Sequence, residues 1–141
     1  MGVNAPDNIL VNGVLKSGAV VSIHVGSIPY NDSGYRLEIY GSEGTLAVKS
    51  TGTPAIDEAR LYGSRVGSDR LRRIHIPKRY TWIPTDVPAG PPFNIAQLWY
   101  RFCQSIDRGI SLEPDFDLAV RRHELLDAIQ TASDTGQTQY L

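Results

Sequence analysis

Along the first half of the chain the apolar positions recur every second residue; along the last third they recur every three or four. In residues 8–15, Ile9 and Val11 alternate with Leu10 and Val14, and in 19–25 Ala19, Val21, Ile23 and Val25 alternate with Ser22 and His24. Period-two patterning of this kind predicts strands with one buried face. Lys16-Ser17-Gly18 supplies the turn of a hairpin between them. Asn12-Gly13 is a competing hairpin dipeptide, but a turn there leaves very short strands, so Gly13 is placed inside the first strand, as at a bulge.

A loop with Pro29, Asn31, Asp32, Ser33 and Gly34 precedes "YRLEIY", where Tyr35, Leu37 and Ile39 alternate with Arg36, Glu38 and Tyr40. The tetrad Gly41-Ser42-Glu43-Gly44 follows, then "TLAVKS", with Leu46 and Val48 on one face. "ARLYG" (59–63), "LRRIHI" (71–76) and "RYTWI" (79–83) are further strand candidates, limited by Pro54, Pro77, Pro84 and Pro88 because proline cannot donate to a ladder. "DVPAGPP" (86–92) breaks the pattern.

Two helices are predicted beyond it. Ile95, Trp99, Phe102 and Ile106, widened by Leu98 and Cys103, form the core-facing stripe of the first. Asn94 and Gln97 resemble a capping box, and Gly109 fits its C-terminal cap. In the second, Phe116, Val120, Leu126 and Ile129 share a face, Asp115 or Asp117 caps the start, and Gly136 ends it. "QTQYL" (137–141) is a candidate final strand. The predicted class is α+β: an open, mostly antiparallel sheet with two C-terminal helices packed on one face. Residues 1–141 are read as a single domain.

The composition, 41% hydrophobic and 21% charged over 141 residues, is that of an ordinary globular chain. A net charge of -1 offers no global attraction to nucleic acid or to an anionic membrane. No apolar run approaches the roughly 20 residues of a membrane helix, and Met1–Pro6 lacks the pattern of a signal peptide. The single Cys103 excludes an internal disulfide and fits a reducing compartment, so the cytoplasm is the expected location.

Glycine spacing raises the question of a phosphate or nucleic-acid loop. A KH-type Gly-x-x-Gly loop joins two helices, a Rossmann fingerprint needs Gly-x-Gly-x-x-Gly between strand and helix, and a Walker loop needs Gly-Lys-Ser/Thr. Strand-like segments flank residues 41–44, and the chain contains no Gly-x-Gly and no Gly-Lys-Ser/Thr. The tetrad reads as a four-residue hairpin loop whose glycines supply positive φ.

His24, His75 and His123 lie far apart, without the short spacing of a metal site. His123 and Asp127, one helical turn apart, have no third ligand nearby, so no metal residue is assigned. Cys103 falls among core positions, no Gly-x-Ser-x-Gly elbow occurs, and no catalytic residue is assigned. The stretch 60–79 holds Arg60, Arg65, Arg70, Arg72, Arg73, Lys78 and Arg79 against Asp69 alone. Arginines of this kind protect edge strands; interleaved with Tyr62, Tyr80 and Trp82, they also suit an anionic ligand or single-stranded nucleic acid. The candidate substrate-binding residues are Arg79, Tyr80 and Trp82, with His24 on the less apolar face of its strand.

Three segments in order, "VNGVLKSGAVVSIHV", "RLEIYGSEGTLAV" and the closing pair "NIAQLWYRFCQSIDRG" and "PDFDLAVRRHELLDAIQTASDTGQTQYL", resemble the C-terminal domain of the Gfo/Idh/MocA oxidoreductases. Gly13, Leu15 and Gly18 match its first strand pair, and Ile39, Gly41, Gly44 and Leu46 its hairpin. Ala119, His123, Leu125, Leu126, Ala128, Ile129, Ala132 and Gly136 match its closing helix. The resemblance implies a substrate-binding and dimerisation domain of an NAD(P)-dependent, sugar-type oxidoreductase, pairing as a homo-oligomer through the open sheet face. It implies that NAD or NADP binds a separate Rossmann domain that also carries the Glu-Lys-Pro lysine. Neither that motif nor a dinucleotide fingerprint is present, and Met1–Asp7 has no room for the family's aspartate/histidine segment. No cofactor-binding residue is assigned, and the chain alone is expected to be inactive. The family also includes non-enzymatic regulators such as fungal galactose-pathway repressors, so a regulatory or scaffolding role is the alternative, with an anion- or RNA-binding module behind it. Neither membrane nor nucleic acid is the expected partner.

Overall fold

The structure, a computed structural model, describes residues 5–27, 34–55 and 57–141. The architecture is α+β: two antiparallel sheets, of two and four strands, and two C-terminal helices. The chain divides into two compact units, Met1–Asp32 with Glu113–Leu141, and Ser33–Leu112. The predicted loop at Pro29–Ser33 lies outside the described residues.

In the first unit β1 (Asn8–Val14) and β2 (Val20–Gly26) pair in unbroken register from Asn8↔Gly26 to Val14↔Val20. Leu15 and Ala19 close the turn over Lys16-Ser17-Gly18, where Gly18 takes a φ of 87°. Gly13 lies within β1 opposite Val21, without a bulge. Ile9, Val11, Val21, Ile23 and Val25 share one face of this hairpin; Leu10, Asn12, Ser22 and His24 share the other. Here α2 (Phe116–Thr135) starts at Asp115, whose carboxylate accepts from the Leu118 N–H at 2.9 Å. It ends at Gly136 in the left-handed conformation. Residues 137–141 form no strand.

In the second unit β3 (Tyr35–Gly41), β4 (Gly44–Ser50), β5 (Arg60–Arg65) and β6 (Arg72–Ile74) form an open sheet in chain order, with β3 and β6 at its edges. The tetrad does turn one strand into the next, but more tightly than expected. Gly41 and Gly44 face each other as the last ladder pair, so only Ser42 and Glu43 form the loop, and only Gly44 has a positive φ, 152°. Residues 79–83 are not a strand. Pro77 opens a 3-10 turn over Lys78–Tyr80, because its ring removes the N–H that a ladder needs.

α1 (Pro91–Arg108) begins three residues before the expected cap, with Gly90 at the cap and proline at the first turn, where a missing N–H costs nothing. Gly109 ends it in the left-handed conformation. Asn94 and Gln97 are not a capping box: their side chains bond outside the helix, to Ala55 and to residues 80 and 82.

The stripe expected to face the core on α1 is exposed instead. Ile95, Leu98, Trp99, Phe102 and Ile106 are each more than half exposed, and Cys103 is exposed as well. The reason lies in which side of the helix docks. Asn94 faces Ala55 and Gln97, Tyr100 and Arg101 face the 80–82 segment, and at 3.6 residues per turn the apolar stripe falls roughly 140° away around the axis from this side. The most buried apolar side chain is Ala47, 1% exposed, on the central strand β4.

Parity divides the four-stranded sheet into two unlike faces. Arg36, Glu38, Tyr40, Lys49, Arg60, Tyr62 and Arg73 lie on one. Arg36 Nη2 approaches Glu38 Oε1 at 2.6 Å and Tyr40 donates to Glu38 Oε2 at 2.8 Å, so both hold the carboxyl below the usual range while Glu38 raises the Tyr40 phenol. Glu58 bridges Arg60 and Arg73 at 3.3 and 3.1 Å, and the Lys49 ammonium sits 5.6 Å from the Tyr62 ring centre. The opposite face carries Tyr35, Leu37, Ile39, Leu46, Val48, Leu61, Gly63 and Ile74. Tyr35, Leu37, Ile39, Leu46 and Ile74 are exposed there.

Candidate functional site

Three of the four expected site residues come together in one turn. The Arg79 guanidinium lies 4.9 Å from the Tyr80 ring centre, with Nη2 donating to the Tyr80 hydroxyl at 3.4 Å. The Arg79 carbonyl accepts from the Trp82 indole N–H at 3.0 Å. This last bond closes the turn on itself and orients the indole, since an indole nitrogen has only a donor to offer.

α1 then fixes the turn. Gln97 accepts from the Trp82 N–H at 2.9 Å and donates to the Tyr80 carbonyl at 2.8 Å, satisfying two backbone groups that no strand partner pairs. Tyr100 stacks on Trp82 with centroids 6.3 Å apart and planes at 22°, and the Arg101 guanidinium lies 5.3 Å from the same ring centre. The Arg101 Nε is buried without a hydrogen-bond partner among the described residues. The indole thus has both an aromatic and a cationic neighbour, while Tyr80 remains 52% exposed.

This arrangement suits a polar ring: aromatic faces for stacking, and guanidinium and hydroxyl donors beside them. It holds no nucleophile paired with a base. His24 lies in the other unit, on β2, where its Nε2 is 3.3 Å from Asn8 Oδ1. Gln97, Tyr100 and Arg101 escaped the sequence reading. The Asn94–Gln97 spacing reads as a cap, and the 3.6-residue period marks the apolar stripe rather than the side of α1 that docks.

The Gly41–Gly44 turn is not built as a dinucleotide loop. The Gly41–Gly44 turn joins two antiparallel strands and offers no helix N-terminus for a pyrophosphate, and the Glu43 carbonyl is taken by the Val66 N–H at 3.1 Å. Among the described residues no three His, Cys, Asp or Glu side chains gather as metal ligands. No helix among them is long and apolar enough to cross a membrane. Comparison with models of known families, with curated proteins and with solved structures returns no match.

Proposed function

We propose that this chain is a substrate-binding and oligomerisation domain of the kind found in NAD(P)-dependent, sugar-type oxidoreductases, inactive in hydride transfer by itself. The observation that carries the pairing role is the exposed apolar face of the four-stranded sheet. Tyr35, Leu37 and Ile39 stand open there on β3, Ile39 at 55%, while Arg36, Glu38 and Lys49 of β3 and β4 lie on the other face. Soluble proteins rarely leave contiguous apolar patches of this kind uncovered. A two-fold axis through the face would set the same residues against one another, the self-complementary contact that closed dimers use.

The substrate role rests on the Arg79–Tyr80–Trp82 turn, whose aromatic faces and donors suit a sugar ring. NAD(P) is held by a separate Rossmann domain, which also supplies the reacting lysine. Light scattering after size exclusion should report a dimer at tens of micromolar for the native chain and a monomer for Leu37→Lys/Ile39→Lys. A native chain that is monomeric under those conditions removes the pairing role. Turnover of NAD(P)H by the chain alone removes the division of labour.

A further inference from the structure

The basic stretch 60–79 does not act as one patch. Strand parity sends Arg60 and Arg73 to the charged face, where both pair with Glu58, and Arg65 and Arg72 to the apolar face. There a cleft of about 360 Å³ is lined by Leu46, Gly63 and Ile74 and by Arg65, Arg70 and Arg72. Gly63 lets its floor form: a Cβ at that position would stand 2.5 Å from Ile74 Cδ1 and 3.2 Å from Leu46 Cδ2, so the two side chains close over the glycine. The turn after β5, closed by Ser68 N–H to the Arg65 carbonyl at 3.0 Å, returns the chain so that Arg70 joins the rim. Arg72 approaches Asp69 at 3.8 Å, a long and exposed pair of little energetic weight. Arg65 and Arg70 pair with no carboxylate among the described residues.

From this we infer that the cleft is a binding site for a small phosphate monoester with an apolar body. The floor of Leu46 and Ile74 takes the apolar part, and the three guanidiniums take the phosphate. Three cations against one carboxylate match a group carrying about -1.5 to -2 at neutral pH better than a monocarboxylate. Planar guanidinium forks suit phosphate oxygens, and the cleft volume lies in the small-molecule range. The site shares no residue with the Arg79–Tyr80–Trp82 turn, needs no second chain, and does not depend on the oxidoreductase reading.

The test is a titration of the full chain with phenyl phosphate, inorganic phosphate and benzoate, followed by amide chemical shifts. Phenyl phosphate should move the amides of Gly63, Ser64 and Arg72, at least tenfold more tightly than either comparator. Arg65→Gln/Arg70→Gln should weaken it at least tenfold at unchanged melting temperature, whereas Arg73→Gln on the opposite face should leave it within twofold. The monomeric Leu37→Lys/Ile39→Lys variant should bind it as the native chain does, which keeps this result separate from the dimer. No shift up to 10 mM ligand (on the order of the weakest affinities a small ligand shows) overturns the inference. So does equal affinity for benzoate or inorganic phosphate, or equal loss in Arg73→Gln. A single-stranded oligouridylate that binds more tightly than phenyl phosphate and loses affinity in Arg73→Gln and Arg79→Gln also overturns it, in favour of an RNA surface along the whole stretch.

Discussion

Replacing each glycine of the Gly41-Ser42-Glu43-Gly44 turn by alanine separates a structural turn from a ligand-gripping loop. At Gly44 the backbone φ is 152°, and a Cβ would stand 2.0 Å from the Ser64 carbonyl oxygen, 2.9 Å from the Arg65 Cα and 3.0 Å from the Ser64 carbonyl carbon. An ordinary C···O approach is about 3.3–3.6 Å, so more than ~1 Å must be opened between β4 and β5. Every obstructing atom is backbone, so no rotamer relieves the clash. A side chain forced into that φ costs about 1–3 kcal/mol, and loosening the end of the ladder forfeits about one hydrogen bond, ~1 kcal/mol. Gly44→Ala should therefore destabilise the chain by about 2–4 kcal/mol. Gly41→Ala meets only the Gly44 carbonyl oxygen at 3.7 Å, and φ there is not positive. It should be neutral or stabilising by up to about 1 kcal/mol through the unfolded state. Urea unfolding followed by far-UV circular dichroism, with slopes compared, reads both variants. Gly44→Ala within about 0.5 kcal/mol of the native chain, or equal costs at the two glycines, would refute the reasoning; 0.5 kcal/mol is the scatter of a neutral surface change.

Gln97→Ala removes both bonds to the 80–82 backbone and leaves the Trp82 N–H and Tyr80 carbonyl unpaired. It should cost about 1–3 kcal/mol and red-shift tryptophan emission, and an unchanged spectrum counts against the docking of α1 described above. Asp115→Ala removes the carboxylate that caps α2 at the Leu118 N–H and should cost about 0.5–2 kcal/mol in the same denaturation assay. The depressed Glu38 carboxyl contributes stability that is fully present above its unfolded value of 4.5 and is lost as pH falls through its lower folded value. The melting-temperature gap between the native chain and Glu38→Gln should therefore be constant near neutrality and shrink below pH 4.5; a gap that widens on acidification has the wrong sign.

The elements were largely legible because local chemistry carried them. Gly18 turns the first hairpin, Gly109 and Gly136 end helices, and Asp115 starts one, each through a bond or a φ that only a few residues supply. Residues 79–83 misled because alternation in "RYTWI" is indistinguishable from a strand until Pro77 is given its consequence. The stripe of α1 misled for a different reason: the period identifies which residues share a side, and says nothing about which side docks. The candidate site was half legible. Arg79, Tyr80 and Trp82 are adjacent in sequence, so one turn gathers them, while Gln97, Tyr100 and Arg101 reach them through a contact across 15 or more residues in the case of Gln97.

The basic stretch shows where charge counting and strand parity diverge. Seven cations between 60 and 79 look like one surface in composition. In β5 the residues Leu61, Gly63 and Arg65 share a side and Arg60, Tyr62 and Ser64 the other, and the register Gly63↔Arg72 and Tyr62↔Arg73 carries that division into β6. Glu58 meets the arginines on the charged side, at 3.3 and 3.1 Å, whereas on the other side the one carboxylate approach among the described residues is Arg72 to Asp69 at 3.8 Å. Edge protection by arginine asks only that charge line the edge; it does not require an apolar floor under half of it. Such a floor beside Arg65 and Arg70, which meet no carboxylate among the described residues, suits an anion with an apolar body, and it lies on the side that Glu58 does not reach.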